Sequence, residues 1–376
     1  MNKTRSVIMF EEYIHTEKTR EAYTFQINKF RDWLGLKTWD DILAIDSQEL
    51  REKIEDYVIL LKNKPVSSNY IRGITFAIQS LCDANEKVGI NWKKIRKLLG
   101  KKTKPQKTRP YTTQEVKLLL GAVKGLRNKA LILFFSSSGV RKGAIPDMRI
   151  RDLKQMQHGC LRVVVYPYTD EEYITFINKE ASDFLTRYHK QREYDGEVLT
   201  PESYVFRNTY KRGKGLHNPQ PLNENSISNI IVRAKKNSGI DTEEIPNMLA
   251  HAFRRRFNTI MKLQNNANVT IIERLMGHDQ GLDNSYFQPT EEQLFEEYVK
   301  GMSDLTIDES ERLLSERKLV EESLSELEAE KQRTNILEQE VAQQKAQLAE
   351  MAKILASGKG KVVEQRGNEY FIELTG

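Results

Sequence analysis

A mainly α fold with a small β-sheet is what this sequence predicts, and three observations carry the prediction. Apolar residues recur at helical spacing in one segment after another along 376 residues. Two short runs, 161–166 and 172–177, have the β-branched and aromatic make-up of strands and flank a polar turn as the arms of a hairpin do. The chain is also too long for one core of ordinary size, so it should divide into separately packed units.

The first unit, residues 1–100, reads as helical. In TREAYTFQINKFRDWLG, Tyr23, Ile27, Phe30 and Leu34 make one apolar stripe; SQELREKIEDYVILLKN follows with Ser47 as its expected cap, and then SSNYIRGITFAIQSLCDANE. Trp33, Trp39 and Trp92 are expected in the core of this unit. Residues 101–110, rich in Lys and Pro and poor in apolar side chains, form a basic linker ending at Pro110. A second unit, 111–304, opens with YTTQEVKLLLGAV, where Thr113 can cap a helix, and continues through ALILFFSSSGVRKGAI to the hairpin. Helix returns at KEASDFLTRYHKQRE, NSISNIIVRAKKNSG and NMLAHAFRRRFNTIMKL.

Over residues 305–355 the character changes. Leu313, Val320, Leu327, Thr334, Val341, Leu348 and Leu355 recur every seven residues, Leu337 and Met351 fill the intermediate seam, and Leu324 fits a shifted phase. This is a long helix able to form a coiled coil; the alternative is a single amphipathic helix lying on its own protein. Residues 356–376 read as a small β-hairpin turning at Arg366-Gly367-Asn368.

Charge is unevenly divided. Residues 305–376 hold 15 acidic and 10 basic side chains, a net of −5, which leaves +11 on residues 1–304. From Lys93 to Arg109 there are nine basic residues and no acid. Such a run is commonly a solvated linker, but on a chain with a pI near 9.0 it also favours a polyphosphate partner through counterion release. The absence of an apolar stretch of eighteen residues predicts neither a membrane span nor a secretory signal. Cys82 and Cys160 have no metal-ligand spacing, and the six histidines are scattered, which suits a reducing cytoplasm and no dedicated metal cage.

Four elements carry candidate chemistry. Arg141 follows a Ser/Gly turn in SSSGVRKGAI. His251 and Arg254 in HAFR stand at i and i+3 on one helix face, able to reach a common ligand. In LMGHDQGLDNSYFQPT, Gly277 is a plausible helix stop, His278 follows it, and Tyr286 comes eight residues later beyond a polar stretch. Taken singly these are ordinary residues. Their order, Arg, His-x-x-Arg, His, Tyr, with 24 residues from Arg254 to His278, resembles the tyrosine recombinase (phage integrase) family. The resemblance covers roughly residues 8–300. A stretch similar to SYFQPTEEQLFEEY makes it most like the integrases of archaeal mobile elements.

That resemblance implies a helical core-binding (SAM-like) domain, the basic linker and an α+β catalytic domain, closing as a C-shaped clamp on double-stranded DNA and working as a tetramer on two duplexes. It implies a nucleoid-associated enzyme that cuts and rejoins DNA without metal, cofactor or ATP. Tyr286 attacks phosphorus and leaves a 3′-phosphotyrosine and a free 5′-hydroxyl. Arg141 and Arg254 clamp the non-bridging oxygens where negative charge grows. His251 is the expected general base, and His278 bonds a phosphate oxygen.

Two departures from the family stand out. The lysine usual on the sheet hairpin is missing, since no lysine occurs between Lys154 and Lys179 and the turn reads YPYTDEE; Lys154, Lys179 or the KRGKG loop at 211–215 are the candidate general acids. The acid usual three residues after the first arginine is Ala144 here, with Asp147 as the candidate substitute. Arg255, Arg256, Lys101, Lys102 and Lys104 are candidate DNA contacts, whereas His15, His158, His189 and His217 are expected to be surface or internally bonded side chains. Other readings are a type IB topoisomerase-like enzyme, using the same phosphotyrosine, and a DNA-binding architectural protein with a decayed site.

Overall fold

The structure, a computed structural model, describes residues 4–99, 108–209, 219–240, 249–278, 281, 286–356, 360–366 and 369–374. Lys101, Lys102 and Lys104, the KRGKG loop, His217 and the hairpin turn Gly367-Asn368 lie outside the described residues. The chain divides into two compact units, Met1–Gln106 and Lys107–Gly376.

The first unit is helical: α1 (Arg5–Tyr13), α2 (Glu17–Trp33), α3 (Trp39–Ala44), α4 (Ser47–Lys62), α5 (Ser68–Ala84) and α6 (Trp92–Leu98). α5 is its spine, apolar enough to bury Ile71, Ile74, Ala77, Ile78 and Leu81 along one face, and α1, α2 and α4 pack on it. Ile27 and Phe30 of the predicted stripe are fully buried. Trp39 is buried and its indole N–H donates to Asn28 Oδ1 at 2.9 Å, and Trp92 packs at the edge, whereas Trp33, expected in the core, is exposed with its ring stacked on Phe30. Ser47 is not the cap of α4. Asp46 is, its carboxylate accepting from the Gln48 and Glu49 amides, and the Ser47 hydroxyl donates instead to the Val88 carbonyl at 2.7 Å.

The second unit begins with α7 (Thr113–Ala122), capped by Thr112 in a capping box with Glu115 and not by Thr113. α8 (Leu126–Ser138) is half-buried in its first turn and buried on every side from Ala130 to Ser138, so it runs into the middle of the core. It ends at Gly139, whose φ of +64° only glycine adopts freely; a Cβ there would also meet the Phe257 ring at 2.8 Å. An antiparallel sheet, β1 (Leu153–Gln155), β2 (Leu161–Val165) and β3 (Tyr173–Ile177), lies beside it, the hairpin pairing Val165 with Tyr173 and Leu161 with Ile177. β1 was not legible in the sequence. α9 (Lys179–Tyr194), α10 (Glu224–Asn237), α11 (Ala250–Lys262) and α12 (Val269–Leu275) complete the shell with α13 (Glu291–Leu305).

Beyond α13 the chain is pinned before it leaves the core. The Glu180 carboxylate accepts from the Ile307 and Asp308 amides at 2.8 and 3.1 Å, and Asn178 donates to the Thr306 hydroxyl at 3.1 Å. α14 (Glu309–Ala356) then runs for 48 residues, with Leu319 packed on the body and Leu313, Val320, Leu324, Leu327, Leu337, Val341 and Leu348 exposed. The antiparallel pair β4 (Gly360–Arg366) and β5 (Glu369–Leu374) follows. Among the described residues no helix is long and apolar enough to cross a membrane.

Candidate active site

The C-terminus of α12 organises the site. Gly277, with φ +60°, closes a Schellman turn in which the Gly277 amide donates to the Arg274 carbonyl at 2.8 Å and the His278 amide to the Glu273 carbonyl at 3.0 Å. Two arginines from distant elements converge on this turn. Both Nη atoms of Arg141 donate to the Gly277 carbonyl at 3.4 Å. Arg254, only 3% exposed, donates from Nη2 to the Met276 carbonyl and from Nη1 to the Gly139 carbonyl at 2.8 Å. Carbonyl partners hold a guanidinium in place without neutralising it, so positive charge remains available to an anionic ligand.

Arg141, Gly277 and His278 line an open cavity of about 970 Å³, together with Tyr173, Ile174, Arg274, Pro289, Leu294 and the hairpin-turn acids Asp170, Glu171 and Glu172. His278 is oriented by Glu273, whose carboxylate accepts from ring Nδ1 and also holds Lys262 Nζ. His251, at the start of α11 and exposed, is close enough for Arg255, Arg254, Arg141 and His278 to act on it. Partial desolvation first, and then those positive charges, push its imidazole below the ordinary histidine range, so the ring is neutral and a proton acceptor near pH 7.

Tyr286 is 86% exposed, beyond a loop whose residues 279–280 and 282–285 are outside the described set. The next residue is tethered: Arg274 donates from Nη2 to the Phe287 carbonyl, with its guanidinium 5.6 Å from that ring's centroid. The structure thus groups Arg141, Arg254, His251 and His278, with the segment bearing Tyr286 attached at the rim.

Other expected residues stand elsewhere. Lys154 pairs with Glu291 at 3.2 Å, and Lys179 with Asp183 at 2.5 Å and Glu311 at 3.6 Å; neither lines the cavity. Asp147 is exposed, and Arg141 is held by a carbonyl instead of an acid. Arg255 is half-buried. Arg256 corrects the expectation of a DNA contact: it is 1% exposed, donates to the Thr113 hydroxyl at 2.9 Å and the Asp304 carbonyl at 3.0 Å, and ties α7 to the end of α13. Burial pulls its guanidinium down to about 10. Three residues of the site escaped the sequence reading. Glu273 and Arg274 lie within a helix where charged side chains are unremarkable, and Tyr173 looked like any aromatic at a strand start.

Residues 110–288 match the model of the phage integrase family. Over 256 residues the chain is 23% identical to proteins named tyrosine recombinase XerC from Lactobacillus delbrueckii subsp. bulgaricus and Lactobacillus leichmannii, an alignment covering 65% of this chain and 77% of theirs. Among solved structures, the Tn1549 transposon integrase in complex with transposon right end DNA superposes with a TM-score of 0.51 at 17% identity, covering 78% of this chain and 98% of that one. The XerH site-specific recombinase bound to its difH substrate gives 0.50 at 16% identity, covering 71% and 75%. At these identities the likeness establishes the fold, a mostly helical body around a small three-stranded sheet.

Proposed function

We propose, on the match of residues 110–288 to the phage integrase family model, that the chain is a site-specific DNA recombinase, the integrase of an archaeal mobile element. It cuts and rejoins double-stranded DNA through a 3′-phosphotyrosine intermediate. The observation that carries this reading is the turn at residues 276–278, which sets Arg141 and the imidazole of His278 on one cavity wall and holds Arg254 just behind it at Met276.

In the reaction, the scissile phosphate lies against that wall with its non-bridging oxygens toward the two guanidinia. Charge developing on those oxygens meets donors already fixed by backbone carbonyls, so little reorganisation is required. The Tyr286 hydroxyl gives its proton to a ring nitrogen of His251, and the phenolic oxygen bonds to phosphorus as the bond to the 5′-oxygen breaks. His278, its Nδ1–H held by Glu273, turns Nε2 toward a phosphate oxygen. Rejoining reverses these steps; the phosphodiester energy is kept in the tyrosyl ester.

The basic linker with Lys101, Lys102 and Lys104, and the half-buried Arg255, are assigned to the DNA backbone by their charge. Recombination on two duplexes calls for four protomers. The exposed apolar residues of α14 support self-association of that helix as a coiled coil.

A nicked suicide substrate from the element's attachment region tests the assignment. Wild type should give a covalent protein–DNA band on a denaturing gel, and Tyr286→Phe none. DNA binding without any covalent band would instead assign an architectural role.

A further inference from the structure

Tyr173 is part of the cavity wall, yet the chemistry above gives it no task. It opens β3 opposite Val165, is 9% exposed, and packs its ring so closely on Gly277 that a Cβ there would clash with it. Tyr166 meets it edge-on, with centroids 6.4 Å apart. The ring is therefore fixed between the hairpin and the C-terminus of α12, with the Arg254 and Arg141 guanidinia near enough to act on its hydroxyl. That hydroxyl is buried beside the Arg254 guanidinium, which can only donate to it, and its own proton meets no acceptor among the described residues. A buried hydroxyl whose proton has no acceptor is costly and uncommon in folded proteins. A ligand oxygen that completes it, at a wall bordered by two arginines, is one carrying negative charge.

Resting on the recombinase reading, we propose that Tyr173 is the general acid of strand cleavage, protonating the 5′-oxygen in place of the hairpin lysine this chain lacks. The balance is closed. The Tyr286 proton goes to His251 and the Tyr286 oxygen bonds to phosphorus; the electron pair of the breaking P–O bond stays on the 5′-oxygen, which takes the Tyr173 proton. Tyr173 is left as a phenolate between the Arg254 and Arg141 charges. In rejoining, the 5′-hydroxyl returns its proton to that phenolate as it attacks, and Tyr286 leaves with the proton from His251.

The side chain suits the step. A phenol and a lysine ammonium have similar ordinary acidities, about 10 and about 10.4. Burial pushes the Tyr173 hydroxyl up, which keeps the proton in place at neutral pH, while Arg254 and Arg141 oppose that push and favour the phenolate. Lys154 and Lys179 are engaged with acids away from the cavity.

The test uses the full chain with two nicked suicide substrates, one carrying the normal bridging 5′-oxygen and one carrying sulfur there. A thiolate leaves without a proton, so loss of a general acid is rescued by sulfur and loss of a positioning group is not. Tyr173→Phe keeps the ring and its packing, and its melting temperature against wild type confirms the fold. Expected is a slowing of about a hundredfold on the oxygen substrate, with a near-wild-type rate on sulfur. Arg141→Ala, the control, should stay slow on both. Equal slowing of Tyr173→Phe on both substrates, or none on oxygen, overturns the assignment while leaving the recombinase reading intact. So does sulfur rescue confined to Lys211→Ala or Lys214→Ala, which would place the acid in that loop. Failure of wild type to form adduct with either substrate removes the recombinase reading and this assignment with it.

Discussion

The Glu273 carboxylate accepts a hydrogen bond from Nδ1 of His278, five residues on, and holds Lys262 with its other oxygen. Burial opposes the charge on Glu273, but the hydrogen bonds from Lys262 and His278 win and hold the carboxyl below its usual range. The imidazole is thereby fixed with Nε2 turned outward. Glu273→Gln keeps the size and an acceptor but loses the charge, and should slow adduct formation on the order of tenfold. Glu273→Ala, which releases the ring, should slow it further. Single-turnover rates on the suicide substrate check both; equal rates for the two variants would leave orientation without a role.

Arg254 spans two carbonyls, Gly139 on one side and Met276 on the other. A lysine keeps the charge but reaches only one of them. Arg254→Lys should therefore cost about 2 kcal/mol in urea denaturation, the value of one charged hydrogen bond left unmade in a buried place. The same variant should lower adduct formation by on the order of a hundredfold or more.

His251 acts as a base only when neutral. Because partial desolvation and neighbouring positive charge push it below the ordinary range, its acid limb should lie below pH 6.5. Cleavage should reach half its plateau only below pH 6.5, and His251→Gln should flatten that limb along with most of the rate. A limb centred at or above 6.5 would contradict the assignment.

His189 makes a stability prediction with a definite sign. Its ring Nε2 meets the Val205 carbonyl at 3.0 Å, and burial, with the Arg192 charge adding to it, pushes its imidazole down to about 4. Between pH 6.5 and about 4 the unfolded chain binds a proton at this residue that the folded chain refuses, so stability is lost as pH falls through that window. The loss is limited to about 3 kcal/mol. Urea titrations at pH 7.5, 6 and 5 should show the slope, and His189→Gln should reduce it.

A cut after residue 305 would remove the amides of Ile307 and Asp308 that satisfy the buried Glu180 carboxylate. Ending the chain after Ser325 keeps that anchor, the packed Leu319 and the Glu322 contact with His158 at 3.5 Å. If α14 drives self-association, the shorter chain should lose oligomer mass in light scattering while its melting temperature holds. Unchanged mass with and without DNA would dismiss the coiled coil.

Much of this was legible from spacing alone. The stripe through Ile27 and Phe30, the hairpin at 161–177 and the heptads of α14 are periodic, and period is what a sequence records best. His251 and Arg254 share a helix, so their proximity followed from i and i+3. The caps were displaced by one residue at Asp46 and Thr112, because neighbouring polar side chains compete for the same amides and only the backbone's turn decides between them. Arg256 could not be placed from sequence, since an arginine between two others reads as surface until the fold buries it. Glu273 and Tyr173 were hidden for a different reason: each acquires its meaning from a partner brought in by tertiary structure.

One consequence of the turn at Gly277 reaches further. Its carbonyls hold two arginines, its missing side chain makes room for Tyr173, and the next residue is His278. Four groups thus share one hinge of backbone, and a tilt of α12 moves all of them together. Substitutions among them should be strongly non-additive in double-mutant cycles, with the second change costing far less than it does alone. The pose of a single short helix therefore decides whether all four groups stand together.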